Sequence, residues 1–360
     1  MQHIIFNTTT MKRVITTLAV LLATALAAEA QEVKNIIYLI GDGMGLTSAS
    51  MMQLENNYEP TIFDYADNVA LQKTYSLDNR VTDSAASGTA LASGHKTNNT
   101  MLGQLPDGTN TESLMELAAA KGKATGIVVT TYLQHATPGA FYAHVPARHE
   151  YATISEQLLA SDIDIAIGGG MAFFEERYSN NEAARQAIAQ SGFTLKESLD
   201  SEVCGERILA LLANKEIENR RGYLAKATTE ALNHLSSSEN GFVLMVEGSL
   251  IDGMGHGNNA EGQQQEMRDF MEAIEVAVAY AREHADTLVV VTADHETGGL
   301  AIISGNADFT LSEQGVAYTW STTGHSGVMI PIYLYGTGAE LINGIMENAD
   351  LGNRLKELIQ

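Results

Sequence analysis

The 360-residue chain is 45% hydrophobic, which provides enough apolar material for a large buried core and excludes a disordered protein. Its 44 acidic and 21 basic residues give a formal net charge of −23, so the average field repels DNA and acidic membrane surfaces. We therefore expect no nucleic-acid partner, and a phosphate group would need a local positive centre.

The first predicted element is a signal peptide over residues 1–30. Two basic residues precede an apolar stretch from Val14 to Ala28, and small residues at its end favour cleavage before Gln31. Met11 is an alternative start, since the preceding residues fit no part of a signal. The stretch is shorter than the roughly 20 residues that a membrane helix needs. We predict an exported protein, periplasmic or secreted, without a membrane span after signal removal.

Short, apolar, β-branched runs alternate with helical patterns along the rest of the chain. The runs predict strands at Val33–Ile40, Gly126–Tyr132, Ile163–Ile167, Phe242–Val246, Thr287–Thr292 and Val328–Tyr335. The helical patterns begin at Ser113, Glu182, Gly222 and Glu261. This alternation predicts an α/β fold in three α/β/α layers, with a central, mostly parallel β-sheet.

No repeat or linker divides the chain after the signal, so we expect one domain over residues 31–360. Residues 171–205 and 301–323 are less regular and are predicted to be excursions from the sheet. The single cysteine, Cys204, excludes an intramolecular disulfide, and its distance from the cleavage site excludes a lipidated N-terminus.

Acidic residues, histidines and a threonine adjoin several of the predicted strands. Ligands bind at the carboxyl edge of such a sheet, where these side chains are expected to converge. They are Asp42 after the first strand, His135 and Thr137 after the second, Glu247 and Asp252 after the fourth, Asp294 and His295 after the fifth, and His325 before the last.

This set of side chains indicates a metal site. Four carboxylates could share a small site only if cations neutralised them, because close like charges raise each other's pKa. His256 follows Asp252 by four residues, which places both on one face if the segment is a helical turn. Mixed histidine and aspartate ligands suit Zn²⁺, whereas Asp42, Glu247 and the Thr137 hydroxyl form an oxygen set that suits Mg²⁺.

The segment VTDSAASGTALASGHKT places Ser84 at the start of a small-residue helix, where free N–H groups favour an anion. Ser84 is therefore either an N-cap residue or a nucleophile. Arg148 is either a surface residue or a binding residue whose planar guanidinium donates hydrogen bonds to two phosphate oxygens. The chain has no P-loop, and GDGMGL lacks the last glycine of the dinucleotide fingerprint.

At these residues the sequence resembles the alkaline phosphatase family across nearly the whole mature chain. The matching motifs are IGDGMG, VTDSAASGTA, HATPGAFYAHVPAR, VEGSLID, VTADHETGG and TGHSG. A sulfatase would instead show Cys or Ser followed by x-Pro-x-Arg, whereas Ala85 and Ala86 follow Ser84. The resemblance implies hydrolysis of small phosphate monoesters through a phosphoserine, with two Zn²⁺ and one Mg²⁺.

The resemblance also implies a role for each residue. Asp252, His256 and His325 would hold the first Zn²⁺, Asp42, Asp294 and His295 the second, and Asp42, Thr137 and Glu247 the Mg²⁺. Ser84 would be phosphorylated and Arg148 would hold the phosphoryl oxygens.

Two positions depart from the usual family pattern. His135 stands near the Mg²⁺ site where some members have aspartate, and Gly253 replaces a larger residue that helps to hold phosphate. We therefore expect weaker phosphate retention and a looser Mg²⁺ site. The segment between His295 and His325 is short for the family, so the insert that often supports a dimer is expected to be reduced, although a homodimer remains the expectation.

Two alternative functions remain open. The first is a phosphodiesterase of the same metal-dependent superfamily, which Arg148 disfavours because a second ester group would occupy its place. The second is a non-catalytic exported protein that binds phosphate or metal, which Ser84 disfavours.

Overall fold

The computed structural model describes residues 32–199, 205–217, 221–305 and 316–359. The predicted signal peptide, its cleavage site before Gln31 and Cys204 lie outside these ranges. Among the described residues, no helix has both the length and the apolar composition that a membrane span requires. The chain forms one compact unit from Val33 onward, and the assignment of residues 31–360 to one catalytic domain stays a prediction.

The strands are mostly short and apolar. They are β1 (Asn35–Gly41), β2 (Asn68–Lys73), β3 (Ala124–Tyr132), β4 (Ile165–Gly169), β5 (Thr194–Lys196), β6 (Ile208–Leu211), β7 (Phe242–Gly248), β8 (Thr287–Thr292), β9 (Glu296–Thr297), β10 (Leu300–Ser304), β11 (Val316–Trp320), β12 (His325–Ser326), β13 (Ile330–Gly336) and β14 (Gly344–Glu347).

The α-helices lie between these strands. They are α1 (Leu46–Glu55), α2 (Ser84–Ser93), α3 (Leu114–Ala120), α4 (Ala136–Gly139), α5 (Tyr151–Ala160), α6 (Met171–Tyr178), α7 (Asn181–Gln190), α8 (Tyr223–Leu235), α9 (Ile251–His256), α10 (Ala260–Glu283) and α11 (Asn348–Leu358). Short 3₁₀ helices occupy Ile62–Tyr65 and Ala339–Leu341.

One sheet of 10 strands has the order β14-β2-β13-β8-β1-β7-β3-β4-β6-β5. Its neighbours are parallel, except that β13 runs antiparallel to both β2 and β8. Two further small sheets pair β10 with β11 and β9 with β12. The predicted, mostly parallel central sheet is confirmed.

The alternation of side chains along β1 shows why helices cover both faces of this sheet. Ile36, Tyr38 and Ile40 pack in one hydrophobic cluster with residues of α2, α3, α5 and α11. Ile37 and Leu39 point to the other face and pack with residues of α1, α8 and α10. Both faces of the sheet are buried along β1, which accounts for the continuous apolar run from Ile36 to Ile40. The three-layer α/β/α arrangement is confirmed.

The sequence patterns missed four strands of the main sheet: β2, β5, β6 and β14. β5, β6 and β14 span only three or four residues, too few to show a period, and the burial of β2 is interrupted by exposed positions.

The prediction that residues 171–205 leave the sheet is wrong in part, because β5 pairs with β6 and so belongs to the main sheet. The strand after His325 is also not the last, since β14 follows β13. Residues 301–323 do leave the main sheet, as the β10–β11 pair, with residues 306–315 outside the described ranges.

Candidate active site

The carboxyl edge of the central sheet collects the predicted polar residues. Asp42 directly follows β1, Glu247 lies at the end of β7, and Asp294 comes two residues after β8. His325 precedes β13, but β13 is antiparallel to β8, so the start of β13 lies at the same edge. Topology therefore places all four side chains at one end of the sheet.

The first group of side chains with metal-ligand chemistry consists of Asp252, His256 and His325. Asp252 and His256 lie four residues apart on α9, and His256 Nε2 is 3.3 Å from Asp252 Oδ2. His325 Nε2 is 3.6 Å from Asp252 Oδ1. The segment from Asp252 to His256 is helical, which is the condition for both side chains to lie on one face.

The second group consists of Asp42, Asp294 and His295, and all three side chains are fully buried. His295 Nε2 lies 3.5 Å from Asp42 Oδ1 and 3.2 Å from Asp294 Oδ2. The rings of His295 and His325 stack with centroids 3.6 Å apart, so the second group adjoins the first.

The third group shares Asp42 with the second and adds Glu247 and His135. His135 Nδ1 lies 4.0 Å from both Asp42 Oδ2 and Glu247 Oε1. Thr137 is fully buried, and its hydroxyl is near enough to lower the pKa of Glu247. His135 therefore lies directly beside the oxygen ligands predicted for Mg²⁺.

Several buried carboxylate oxygens fit metal ions because no hydrogen bond among the described residues satisfies them. Both Oδ atoms of Asp42 and Oε1 of Glu247 are buried without a hydrogen-bond partner in the part of the chain that the structure describes. An unpaired carboxylate buried in this way is strongly unfavourable unless it coordinates a cation or takes up a proton. The donor set of carboxylates, imidazoles and a hydroxyl is one that divalent metals bind.

Burial and mutual repulsion also change the pKa values of these acids. Burial, followed by the charges of Asp294, Asp252 and Glu247, raises the pKa of Asp42 well above its usual value. Burial raises the pKa of Glu247 to about 8 and that of Asp294 to about 6. Burial opposes ionisation of Asp252 too, but its hydrogen bond with His256 and the nearby histidines keep its pKa below the usual range.

The three histidines predicted as ligands each have Nδ1 beside an oxygen atom. His256 Nδ1 lies 2.6 Å from the Thr323 carbonyl, and His325 Nδ1 lies 2.8 Å from the Thr82 carbonyl. Nδ1 of His295 lies 3.2 Å from the Thr297 hydroxyl. A proton on each Nδ1 satisfies these contacts and leaves each Nε2, which faces an aspartate, free to bind a metal.

Ser84 is the first residue of α2, and its side chain is buried. The residue before it, Asp83, is the N-cap and accepts a hydrogen bond from the Ala86 N–H at 3.0 Å. The alternative that Ser84 is itself the cap is therefore wrong. Ser84 Oγ instead lies 3.2 Å from His295 Nε2, beside the second group.

Arg148 is held at the same edge and is not a surface residue, since its side chain is only 17% exposed. Its Nη1 lies 3.2 Å from Asp83 Oδ2, and its Nη2 lies 3.2 Å from His135 Nε2. Asp83 thus caps the helix that begins with Ser84 and also orients the arginine.

Three supporting residues were missed by the sequence reasoning: Asp83, Ser249 and Thr297. The Ser249 hydroxyl donates to Glu247 Oε2 at 2.7 Å, and Thr297 contacts Asp252. Each lies within two residues of a predicted site residue, in VTDSAA, VEGSLID and ADHETGG. Proximity in the motif was therefore the available signal, although it could not show which atoms meet.

Comparison with known proteins identifies relatives of this chain in sequence and in fold. The alkaline phosphatase family model matches residues 33–206 and 210–314. Alkaline phosphatase 3 of Bacillus subtilis is 30% identical, over 91% of this chain and 89% of that protein. The structure of the alkaline phosphatase from the Antarctic bacterium TAB5 aligns with a TM-score of 0.86 and 34% identity, over 92% of this chain and 99% of that chain. A cold-active alkaline phosphatase from a psychrophilic Shewanella aligns with a TM-score of 0.83 and 31% identity, over 91% and 100%.

The fold is that of an α/β enzyme, and its candidate site combines buried carboxylates, imidazoles and a serine. The chain belongs to the alkaline phosphatase family, and it is therefore a phosphatase, a hydrolase.

Proposed function

We propose that the protein hydrolyses small phosphate monoesters through a phosphoserine on Ser84 and releases inorganic phosphate. The observation that carries the proposal is the position of the Ser84 hydroxyl. It is buried at the N-terminus of α2, 3.2 Å from His295 Nε2 and one residue from Asp83, which holds Arg148. The proposed nucleophile, the proposed phosphate-binding arginine and the proposed metal ligands thus lie at one edge of the sheet.

The residues fit two Zn²⁺ and one Mg²⁺. Asp252, His256 and His325 would hold the first Zn²⁺, Asp42, Asp294 and His295 the second, and Asp42, Thr137 and Glu247 the Mg²⁺, with His135 beside it. When bound, such ions lower the pKa of coordinated hydroxyl and water oxygens and neutralise charge that develops on the phosphoryl group. A variant of the TAB5 enzyme in which a histidine is replaced by aspartate has Mg bound in its M3 site, so a protein of this fold can bind magnesium.

The chain's own groups position and transfer the phosphoryl group. The Arg148 guanidinium binds two phosphoryl oxygens, and Asp83 and His135 hold it in place. Ser84 Oγ forms a bond to phosphorus while the bond between phosphorus and the ester oxygen breaks, and the proton lost by Ser84 Oγ is balanced by the proton gained by the ester oxygen, so that an alcohol leaves. A water oxygen then forms a bond to the phosphorus of the phosphoserine while the Ser84 Oγ–phosphorus bond breaks. One water proton restores the Ser84 hydroxyl, and inorganic phosphate is released. The free N–H groups at the start of α2 stabilise the phosphoryl oxygens.

The proposed location follows from the first 30 residues, whose signal-peptide pattern predicts export to the periplasm or beyond. A free small molecule carrying a phosphate monoester is the substrate that such an enzyme would meet there.

The test compares monoester and diester turnover. Residues 31–360 would be purified with Zn²⁺ and Mg²⁺, and p-nitrophenol release from the phosphate monoester and the bis-ester measured at mildly alkaline pH. We expect preferred monoester turnover that is lost on chelation and that falls on the order of 10³-fold or more in Ser84→Ala. Ser93→Ala, at the other end of the same helix, is the matched control and should keep its activity.

Two results would contradict the proposal. Turnover of the diester alone would favour the phosphodiesterase alternative. No turnover of either ester by a folded, metal-loaded protein would favour a binding protein.

A further inference from the structure

Thr297 lies between the first and second groups and contacts a member of each. Its Oγ1 is 2.5 Å from Asp252 Oδ1 of the first group and 3.2 Å from His295 Nδ1 of the second. Its side chain is only 1% exposed, so water does not compete for these contacts.

The direction of the two hydrogen bonds follows from the partners. A carboxylate can only accept, so the Thr297 O–H donates to Asp252 Oδ1. The lone pairs of the same oxygen then accept from His295, which requires the proton on Nδ1. That tautomer leaves His295 Nε2 unprotonated and facing Asp42 and Asp294. This hydrogen-bond relay runs from His295 through Thr297 to Asp252. It therefore fixes the tautomer of one predicted ligand in the second group and the orientation of one in the first.

Backbone segments pack closely around the Thr297 side chain. Gly43 has a φ of +74°, and a Cβ atom there would lie 2.9 Å from Thr297 Oγ1 and 2.7 Å from Asp252 Cα. On the other side, a Cβ at Gly255 would lie 3.0 Å from Thr297 Cβ. Two glycines thus let the turn after β1 and helix α9 approach the threonine from both sides.

We infer that Thr297 is a positioning residue that couples the two zinc-binding groups through its hydroxyl. The inference rests on the proposed function, since it concerns the Zn²⁺ ions proposed there. Fixing His295 in the metal-binding tautomer and holding the orientation of Asp252 reduces the reorganisation that each ion requires. Zn²⁺ bound at either group fixes its end of this hydrogen-bond relay and so holds the shared hydroxyl in the orientation that the other group uses. Binding of Zn²⁺ at one group therefore favours binding at the other.

The experiment measures Zn²⁺ affinity directly, apart from activity. The wild type, Thr297→Val and Thr297→Ser would be stripped of metal and titrated with Zn²⁺ against a chromophoric chelator. Valine keeps the shape of threonine without the hydroxyl, whereas serine keeps the hydroxyl without the methyl group. We expect Thr297→Val to bind Zn²⁺ at both groups about 10–100-fold more weakly and without cooperativity, and Thr297→Ser to resemble the wild type.

A matched control removes a hydroxyl elsewhere in the core. Thr228 on α8 is fully buried, and its hydroxyl has no hydrogen-bond partner among the described residues. Thr228→Val should therefore leave Zn²⁺ binding unchanged. If Thr297→Val does not fold, as judged by circular dichroism of the metal-free protein, Thr297→Ala compared with Thr297→Ser isolates the hydroxyl without the branched methyl group.

The outcomes separate this inference from the proposed function. Any of three results would overturn the coupling role. Thr297→Val could bind Zn²⁺ at both groups as tightly as the wild type, or Thr297→Val and Thr297→Ser could be weakened equally. The third such result is weaker Zn²⁺ binding at one group alone. A wild-type protein that does not bind two Zn²⁺ ions would overturn the proposed metal set itself.

Discussion

At the scale of single residues, the main feature is an acid held inside a glycine-rich turn. Asp42 is fully buried and belongs to both the second and the third group. Gly43 after it adopts a positive φ and donates its N–H to Asp294 Oδ1 at 3.1 Å, which joins the ends of β1 and β8. The glycine is required because a side chain there would collide with Asp252.

Removal of metal should make the stability of the protein strongly dependent on pH. Burial raises the pKa of Glu247 to about 8, so the folded metal-free state holds a proton that the unfolded state releases near pH 4.3. The hydrogen bond between His256 and Asp252 raises the pKa of His256 to about 9. The stability that this hydrogen bond contributes is therefore fully present below about pH 6.5 and is lost as the pH rises through 9. Both effects lower the free energy of unfolding between pH 6.5 and 9.

Thermal unfolding with EDTA and with Zn²⁺ plus Mg²⁺, at pH 6.5 and pH 9, checks this. We expect the midpoint of the chelated protein to fall by about 5 °C or more across that interval and that of the metal-loaded protein to change less. The buried His135 and His295 have lowered pKa values and act in the opposite direction, but only below about pH 6.5. Equal midpoints for the chelated protein at both pH values would contradict the prediction.

Gly253 should determine how tightly the product is retained. It follows Asp252 directly, and a Cβ atom there would have nothing within 4 Å, so a side chain can begin at this position without a clash. The indole N–H of Gly253→Trp can donate to a phosphate oxygen, which should strengthen inhibition by inorganic phosphate about tenfold. Gly253→Phe adds a ring without the N–H and is the matched control. An unchanged inhibition constant in Gly253→Trp would show that this position does not influence phosphate.

At the scale of elements, helix α11 supports the helix that begins with Ser84. Asn348 at its start donates to Ser87 Oγ at 3.1 Å, and the Ser87 hydroxyl donates to the Asp294 carbonyl at 2.6 Å. Further along α11, a Cβ at Gly352 would lie 2.5 Å from the Ala90 carbonyl oxygen. The contact is therefore between helix backbones.

Gly352→Ala should destabilise the protein even though alanine is the better helix former by about 1 kcal/mol. The added methyl group meets backbone atoms of α2, which cannot move aside as a flexible side chain would, so a loss of about 2 kcal/mol is expected. Urea unfolding measures it, and kcat should fall because α2 carries Ser84. Glu357→Ala, at an exposed position of the same helix, should change stability little. A Gly352→Ala protein as stable as the wild type would mean that the two helices are not in this close contact.

At the scale of the whole molecule, one end of the central sheet lacks a full apolar cover. Val69 on β2 is 50% exposed and Ile345 on β14 is 62% exposed. Ile345 pairs with Leu71, which lies two residues from Val69, so these side chains share one face. Exposed apolar side chains that adjoin on a sheet are typical of an interaction surface.

The homodimer expected from the family resemblance could use this face, and it stays a prediction. Sedimentation equilibrium should give a dimer for the wild type and a monomer for the double variant Val69→Lys with Ile345→Lys. Tyr58→Lys, which changes a tyrosine that is 76% exposed after α1, is the control. A wild-type monomer at micromolar concentration would refute the expectation.

Much of the site was predictable from local patterns, because ligands at the ends of parallel strands need only strand positions and a topology rule. Asp42, Glu247, Asp294 and His295 were found in this way. Asp83 and Thr297 were not, since a cap and a bridging hydroxyl are recognised only from the atoms that they contact. His135 was placed near the site, yet its contact with Arg148 could be seen only in the structure.

The sequence by itself determined the alternation of buried strands and helices, the family motifs and the identity of the chemical groups. These depend on side-chain periodicity and composition, which are local properties of the chain. Only the tertiary structure decided which groups meet: the antiparallel course of β13 brings His325 to the carboxyl edge, and Thr297 joins Asp252 to His295. The physical reason is that distances between residues far apart in sequence are set by strand order and packing, which no local pattern contains.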